Sequence, residues 1–285
     1  MEHFFAVFLI FGKKSGGVAK NKILKKKSSE FVESSIKMCY IVSEKIHSGV
    51  VQKMRKIFTL SFDDGIEQDK RLIVLLKKYR LKCTFNINSG LLGTGGTVPL
   101  ADGTPVRHDK IAPGEVRRVY EGFEVASHTQ THPLLTQCPP ARIIEETVGD
   151  YLKLSELVGY PVRGFAYPGG HPNRDRLVTE LLRGCTSLAY ARTIISTYGL
   201  AFPEDFLEWN PSLHILDART DELIDRFCAA REDSLLYIWG HSYELDGRGG
   251  WERAEEVFAR LASIEDAESM TNMEVYTLVQ GVKNA

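Results

Sequence analysis

From Lys56 onward the chain alternates short apolar runs with segments whose apolar residues recur every three or four positions. Residues 57–62 (Ile-Phe-Thr-Leu-Ser-Phe) read as a buried strand, and 69–79 put Leu72, Leu75, Leu76 and Tyr79 on one helical face. Residues 82–88 return to strand character. A Gly- and Pro-rich stretch, 89–113, follows as a loop, and Pro113 is placed to open a short helix through Val116 and Tyr120. The alternation continues with a strand at 123–127 and a helix marked by Ile144, Val148, Tyr151 and Leu152, stopped by Gly159 and Pro161. Strands at 164–167, 188–193, 213–216 and 235–239 are separated by helices through Leu177, Leu181 and Leu182 and through 223–227. A last helix spans 251–261.

Repeated strand-then-helix units predict a parallel sheet, and six or seven of them predict closure into a barrel. The expected fold is therefore α/β, a distorted TIM-like (β/α) barrel of seven strands. One catalytic domain is expected over residues 54–285. The first 53 residues differ: an eight-residue apolar run from Phe4 to Phe11 is too short to span a bilayer. A lysine-rich stretch containing Lys25, Lys26 and Lys27 follows it, an order opposite to that of a signal peptide. This segment reads as an accessory extension, or as upstream sequence from an early start codon.

Composition narrows the class. Charged residues at 26% and hydrophobic residues at 43% are ordinary for a globular domain. A formal charge of -1 gives no reason to expect nucleic acid as a partner. Five scattered cysteines without a C-x-x-C pair fit a reduced, cytoplasmic chain.

The candidate chemistry sits where the predicted strands end. Asp63 and Asp64 close the first strand, and His128 and His132 follow the third. One carboxylate and two imidazoles form a facial ligand set for a borderline divalent cation, with positions left open. A second carboxylate beside such a cation can take a proton from water. Each piece alone has an ordinary explanation: Asp-Asp-Gly is also a turn sequence, and a lone histidine pair is a modest signal.

Taken in order, the motifs resemble the polysaccharide deacetylase family, the NodB-homology domain of carbohydrate esterases. Ser61-Phe62-Asp63-Asp64-Gly65 matches that family's strand end, and His128-Thr129-Gln130-Thr131-His132 its histidine motif. Arg163-Gly164-Phe165-Ala166-Tyr167-Pro168-Gly169-Gly170 matches its groove motif, and Leu236-Tyr237-Ile238-Trp239-Gly240-His241 its late histidine. The resemblance covers roughly residues 56–245. It implies Asp64, His128 and His132 as metal ligands and Asp63 as general base, with Arg163 holding the Asp63 carboxylate. It also implies the Tyr167 backbone N–H as an oxyanion donor and His241 as the acid. The metal it implies is zinc, with cobalt, manganese or iron also suited to the set. The implied substrate is an N- or O-acetylated saccharide or a small acetylated metabolite; oligomeric state is left open. Hydrolysis of a non-sugar amide on the same barrel and a non-catalytic carbohydrate-binding module are the alternatives.

Two features stay unplaced. The family's acidic partner for the late histidine has candidates at Glu208 and Asp217, with Glu244 three residues after His241 as another neighbour. The loop from Ser89 to Lys110 is expected to narrow the site. Trp209, Trp239 and Tyr243 are candidate faces for sugar stacking or core packing. His108 and His214 read as structural or exposed, and His171 as close to the groove.

Overall fold

A computed structural model describes residues 55–283; the expectation for residues 1–53 lies outside the described residues. Strand β1 (Lys56–Asp64) is buried along its whole length and is the centre of the molecule. It pairs in parallel with β2 (Thr84–Ile87) through Ser61–Asp64 and with β9 (Ser234–His241) through Lys56–Asp63. Parallel pairing continues through β5 (Glu124–Ser127), β6 (Gly164–Ala166) and β7 (Tyr190–Arg192) on one side, and β8 (Leu213–His214) on the other. The order β7-β6-β5-β2-β1-β9-β8 is the expected seven-stranded path. The two edges of this curled sheet meet through one segment. Trp209 N–H donates to Ala191 O at 3.0 Å in β7, and Ser212 N–H donates to Tyr237 O at 2.8 Å in β9.

Period-two alternation decides what faces where. Phe58, Leu60 and Phe62 pack into the layer between sheet and helices, together with Leu236 and Ile238. Their neighbours Ile57, Tyr237 and Trp239 join Tyr190 and Trp209 in the barrel interior. Asp63 and His241 continue the interior rows at the carboxyl ends of β1 and β9, where a parallel barrel gathers its chemistry.

Helix α1 (Asp69–Lys78) buries Leu72, Ile73 and Leu76, close to the expected face. The short α2 (Val116–Val119) follows Pro113 as anticipated. Helix α3 (Pro140–Val158) ends at Gly159, whose φ of 83° only glycine adopts readily. Its buried residues include polar ones: Ile143, Glu146, Thr147 and Asp150 are buried, while Leu152 is exposed. The reason is that α3 supports polar loops at the site, described below. Helices α4 (Arg176–Cys185), α5 (Thr220–Ala229) and α6 (Gly250–Ala262) follow the predicted order.

Three elements lack a signal in the hydrophobic pattern. Strands β3 (Thr97–Pro99) and β4 (Pro105–Arg107) form an antiparallel hairpin inside the expected loop. Strand β10 (Ala267–Met270) pairs with the start of β1, but Glu268 and Ser269 interrupt any apolar run. Helix α7 (Asn272–Lys283) then reaches the barrel interior with Asn272, which accepts from Thr59 Oγ1 at 2.8 Å and donates to Tyr237 Oη at 2.6 Å.

No helix among the described residues is long and apolar enough to cross a membrane.

Replacing Asn272 by Ala orphans two buried hydroxyls, each costing about 1–3 kcal/mol when left unpaired. Urea unfolding of Asn272→Ala is expected to show a stability loss in that range; an unchanged midpoint would contradict the assigned role of α7.

Candidate active site

The two adjacent carboxylates are held in different ways. Asp63 is buried and forms an ion pair with Arg192, which ends β7 and is itself fully buried. Asn86 Nδ2 donates to Asp63 Oδ1 at 2.8 Å. Burial pushes the Asp63 pKa up, but the Arg192 guanidinium, with His128 and His241 beyond it, brings it below the usual carboxylate value. Asp64 leaves the strand at φ 84°, a left-handed conformation that costs a non-glycine residue energy. Its Oδ2 lies 3.1 Å from His108 Nε2 and its Oδ1 3.3 Å from Lys110 Nζ. Against the effect of burial, these two contacts hold Asp64 well below the ordinary range.

The histidines sit on a strained, well-braced loop after β5. Thr129 and His132 both have positive φ, 66° and 59°. The buried carboxylate of Asp150 accepts from Ser127 Oγ at 2.6 Å, His128 N at 3.0 Å and Ser89 N at 2.6 Å. Glu146 accepts from Thr131 N and Thr131 Oγ1 at 2.9 and 2.6 Å. Thus the polar face of α3 fixes the loop. His128 Nδ1 hydrogen-bonds Ala166 O at 2.8 Å, which assigns its proton to Nδ1 and leaves the Nε2 lone pair free. Burial lowers the His128 pKa to about 4 and also lowers that of His132, so both rings are neutral at pH 7.

One ligand atom each from Asp64, His128 and His132 lies within 4.8 Å of the others. An anionic carboxylate and two neutral imidazoles fit a divalent cation of the zinc type. Lys110 is the dissonant neighbour. Its ammonium, whose pKa burial lowers, also donates to Asp64 O at 2.8 Å and Asn88 Oδ1 at 3.1 Å.

His241 faces the same centre. Its Nε2 is 3.9 Å from Asp63 Oδ2, and its Nδ1 is 3.1 Å from Glu244 Oε2. Burial depresses its pKa, but the Glu244 hydrogen bond and the nearby carboxylates outweigh that and raise it to about 9. Glu244 is therefore the acidic neighbour of His241. Glu208 instead pairs with Arg174 at 2.8 Å, and Asp217 accepts from Tyr198 Oη at 2.9 Å.

Two expected residues are placed elsewhere. Arg163 precedes β6, is exposed and donates to Ser187 O at 3.3 Å instead of pairing with Asp63. Arg192 occupies the position beside Asp63 expected of it. The Tyr167 N–H donates to Arg192 O at 2.9 Å, continuing the β6–β7 ladder, so it is already committed. Its ring is buried, with the hydroxyl donating to Leu207 O. The sequence signal for Arg192 was present: a charged residue at the end of the apolar strand Tyr190-Ala191-Arg192. His108 and Lys110 carry no pattern of their own; the hairpin brings them in.

That hairpin walls a cavity of about 380 Å³ at the centre, lined by Asp64, His132, His241, Lys110, Tyr243 and residues 94–98. Tyr243 is the aromatic face on this cavity. Trp209 and Trp239 are buried in the barrel, and exposed His171 is not among the lining residues.

The Asp63–Arg192 pair separates the two arginines by experiment. Arg192→Met leaves a buried carboxylate uncompensated, an expected loss of about 3–5 kcal/mol. The native Asp63 pKa is depressed, so its contribution is present above pH 3.8 and lost as pH falls through the folded value. In the variant burial is no longer opposed by Arg192 and raises the Asp63 pKa, so the carboxyl can protonate at pH 4 and the deficit in chemical unfolding should be larger at pH 7 than at pH 4. Arg163→Ala should stay within about 0.5 kcal/mol of the parent at both.

Residues 51–183 match the family described as polysaccharide deacetylase. No curated protein matches the chain. Among solved structures, the Xyl-CE4 domain of a multidomain xylanase from the hindgut metagenome of Trinervitermes trinervoides superposes with a TM-score of 0.52 at 16% identity. That alignment covers 79% of this chain and 92% of the other. The Bc1960 peptidoglycan N-acetylglucosamine deacetylase gives 0.52 at 16%, over 79% and 90% of the two chains. A family 4 acetyl xylan esterase from Clostridium thermocellum, solved with a cobalt ion, gives 0.50 at 17%, over 78% and 91%. These likenesses establish the curled parallel barrel. The similarity to polysaccharide deacetylases is thus carried by residues 51–183 and by the shared barrel fold.

Proposed function

We propose that the protein is a metal-dependent deacetylase of an N- or O-acetylated carbohydrate, with its catalytic unit over residues 54–285. The observation that carries this reading is one ionised carboxylate, Asp63, placed between a buried cation (Arg192), a three-residue ligand set and a protonated histidine. Asp64, His128 and His132 would hold the divalent cation, which supplies Lewis acidity toward water and the acyl oxygen.

The remaining work falls to side chains already in place. Asp63, kept ionised by Arg192, takes a proton from the attacking water as oxygen bonds to the acyl carbon. His241, charged at neutral pH, gives its Nε2 proton to the departing nitrogen or oxygen as the bond to the acyl carbon breaks. Acetate and the free amine or alcohol leave. Separate base and acid suit a poor leaving group, and the two lie close enough to serve one substrate.

The half-open cavity and its hairpin wall favour a short saccharide, a chain end or a small acetylated metabolite over the middle of a long polymer. Tyr243 offers the stacking face. Scattered cysteines favour a reducing compartment.

Acetate release from a panel of N- and O-acetylated saccharides is expected to be lost on chelation and restored by zinc or cobalt. Asp63→Asn should lower kcat by about 10²–10⁴-fold. Turnover confined to non-sugar amides would move the substrate class, and chelator-independent release would refute the metal assignment.

The pH profile has a defined basic limb. His241 must carry a proton to act, and its pKa is raised to about 9, so kcat should fall as pH rises through that value. A basic limb near the ordinary histidine value would contradict the proposed Glu244–His241 coupling.

A further inference from the structure

We propose that His214 is a positioning residue for His241, acting through a single shared oxygen of Glu244. The inference rests on the reading of His241 as the proton donor. His214 ends β8 beside β9, and its Nε2 lies 2.8 Å from Glu244 Oε2. The same oxygen lies 3.1 Å from His241 Nδ1 and accepts the His241 backbone N–H at 3.1 Å. Three donors therefore converge on one carboxylate oxygen.

The direction of each bond is fixed by a neighbour. Leu216 N–H donates to His214 Nδ1 at 3.3 Å, so the His214 proton sits on Nε2 and points at Glu244. His214 is thereby a donor to Glu244 whose orientation is set by the Leu216 N–H. His241 in turn must carry its Nδ1 proton toward Glu244, which directs Nε2 to Asp63 and the cavity. Gly240 leaves room for this arrangement. A Cβ there would meet Ile215 Cγ2 at 2.7 Å and His214 Nε2 at 3.3 Å.

Glu244 needs such a brace. It lies in a one-turn 3-10 helix (Ser242–Asp246) with its side chain 27% exposed, where a carboxylate held by one partner is free to turn toward water. The His214 side chain is 22% exposed, but its ring stands edge-on to Trp239 with centroids 4.9 Å apart. Around His241 stand Asp63 from β1, Tyr243 at 5.1 Å between ring centroids, Trp239 at 5.5 Å and His214 at 6.4 Å. No other described residue bonds its Nδ1 face.

His214, His241 and Glu244 also have the composition of a cation site, with ligand atoms within 4.8 Å of one another. The hydrogen-bond directions argue against that use. Nε2 of His214 carries a proton because Nδ1 already accepts one, and a protonated nitrogen has no lone pair for a metal.

The test compares His214→Leu, which removes the donor, with His214→Gln, whose side-chain amide replaces it. The Leu variant is expected to lose about 10-fold in kcat with little change in KM, and the Gln variant to recover most of it. Independently of turnover, nitrogen NMR of His241 at a pH above its raised pKa of about 9, where the ring is neutral, should show the Nδ1–H form in the parent and in His214→Gln, and a mixture of tautomers in His214→Leu. Parent kcat together with an unchanged His241 signal in His214→Leu would overturn the proposal. So would a second equivalent of zinc that binds the parent and is lost from His214→Leu. If no acetylated substrate turns over, the deacetylase reading fails, while the NMR comparison still decides the role of His214.

Discussion

The buried ion pair between Asp63 and Arg192 is the constraint around which the rest of the barrel is arranged. Two charges removed from water are costly unless each finds its counter-charge and its hydrogen bonds. Asp63 finds them in Arg192 and Asn86, on the two flanks of the interior. Arg192 stacks its guanidinium 4.4 Å over Trp239 and donates to Thr193 O. The pair thus joins the end of β1 to the end of β7, strands that are not neighbours in the sheet. A curled sheet is what brings those ends within reach, so the fold and the ionised state of Asp63 depend on each other.

Around that pair, polar groups do work that apolar packing usually does. Asp150 and Glu146 brace the histidine loop from one helix, and Asp69 does the same at the start of α1. Asp69 accepts from Ser242 Oγ at 2.6 Å, tying α1 to the residue after His241, and from Tyr120 Oη at 2.7 Å. Positive φ at Asp64, Thr129 and His132 is concentrated at the proposed ligands, and these hydrogen bonds hold the strained backbone there. A rigid ligand set of this kind does not have to be ordered when a cation arrives, which favours affinity.

Much of this was legible in the sequence, and the exceptions share a cause. The strands β1, β2, β5, β6, β7, β8 and β9 were readable because each is apolar between turn residues. Asp63, Asp64, His128, His132 and His241 were readable because they sit at strand ends, and the structure gathers all five. The helix α3 was readable, but the burial of Glu146, Thr147 and Asp150 on it was not, because a hydrophobic pattern counts such residues as surface. The motif implies Arg163 as the partner of Asp63, but Arg163 is exposed and bonded to Ser187 O, and Arg192 makes the ion pair. The Tyr167 N–H, implied as an oxyanion donor, donates to Arg192 O in the ladder, a pairing that joins two strands and is not visible in the motif. The partnership of Glu244 with His214 and the approach of His108 and Lys110 to Asp64 join distant segments, which no local pattern encodes.

The central claim is that a divalent cation binds between Asp64, His128 and His132 while Asp63 stays paired with Arg192 as a free base. Anomalous diffraction from crystals grown with zinc tests it most directly. The account predicts one strong peak within coordination distance of an Asp64 carboxylate oxygen and Nε2 of both histidines, with the Asp63–Arg192 pair intact. A peak at His214, His241 and Glu244 instead, or Asp63 turned from Arg192 to join the cation, would contradict it.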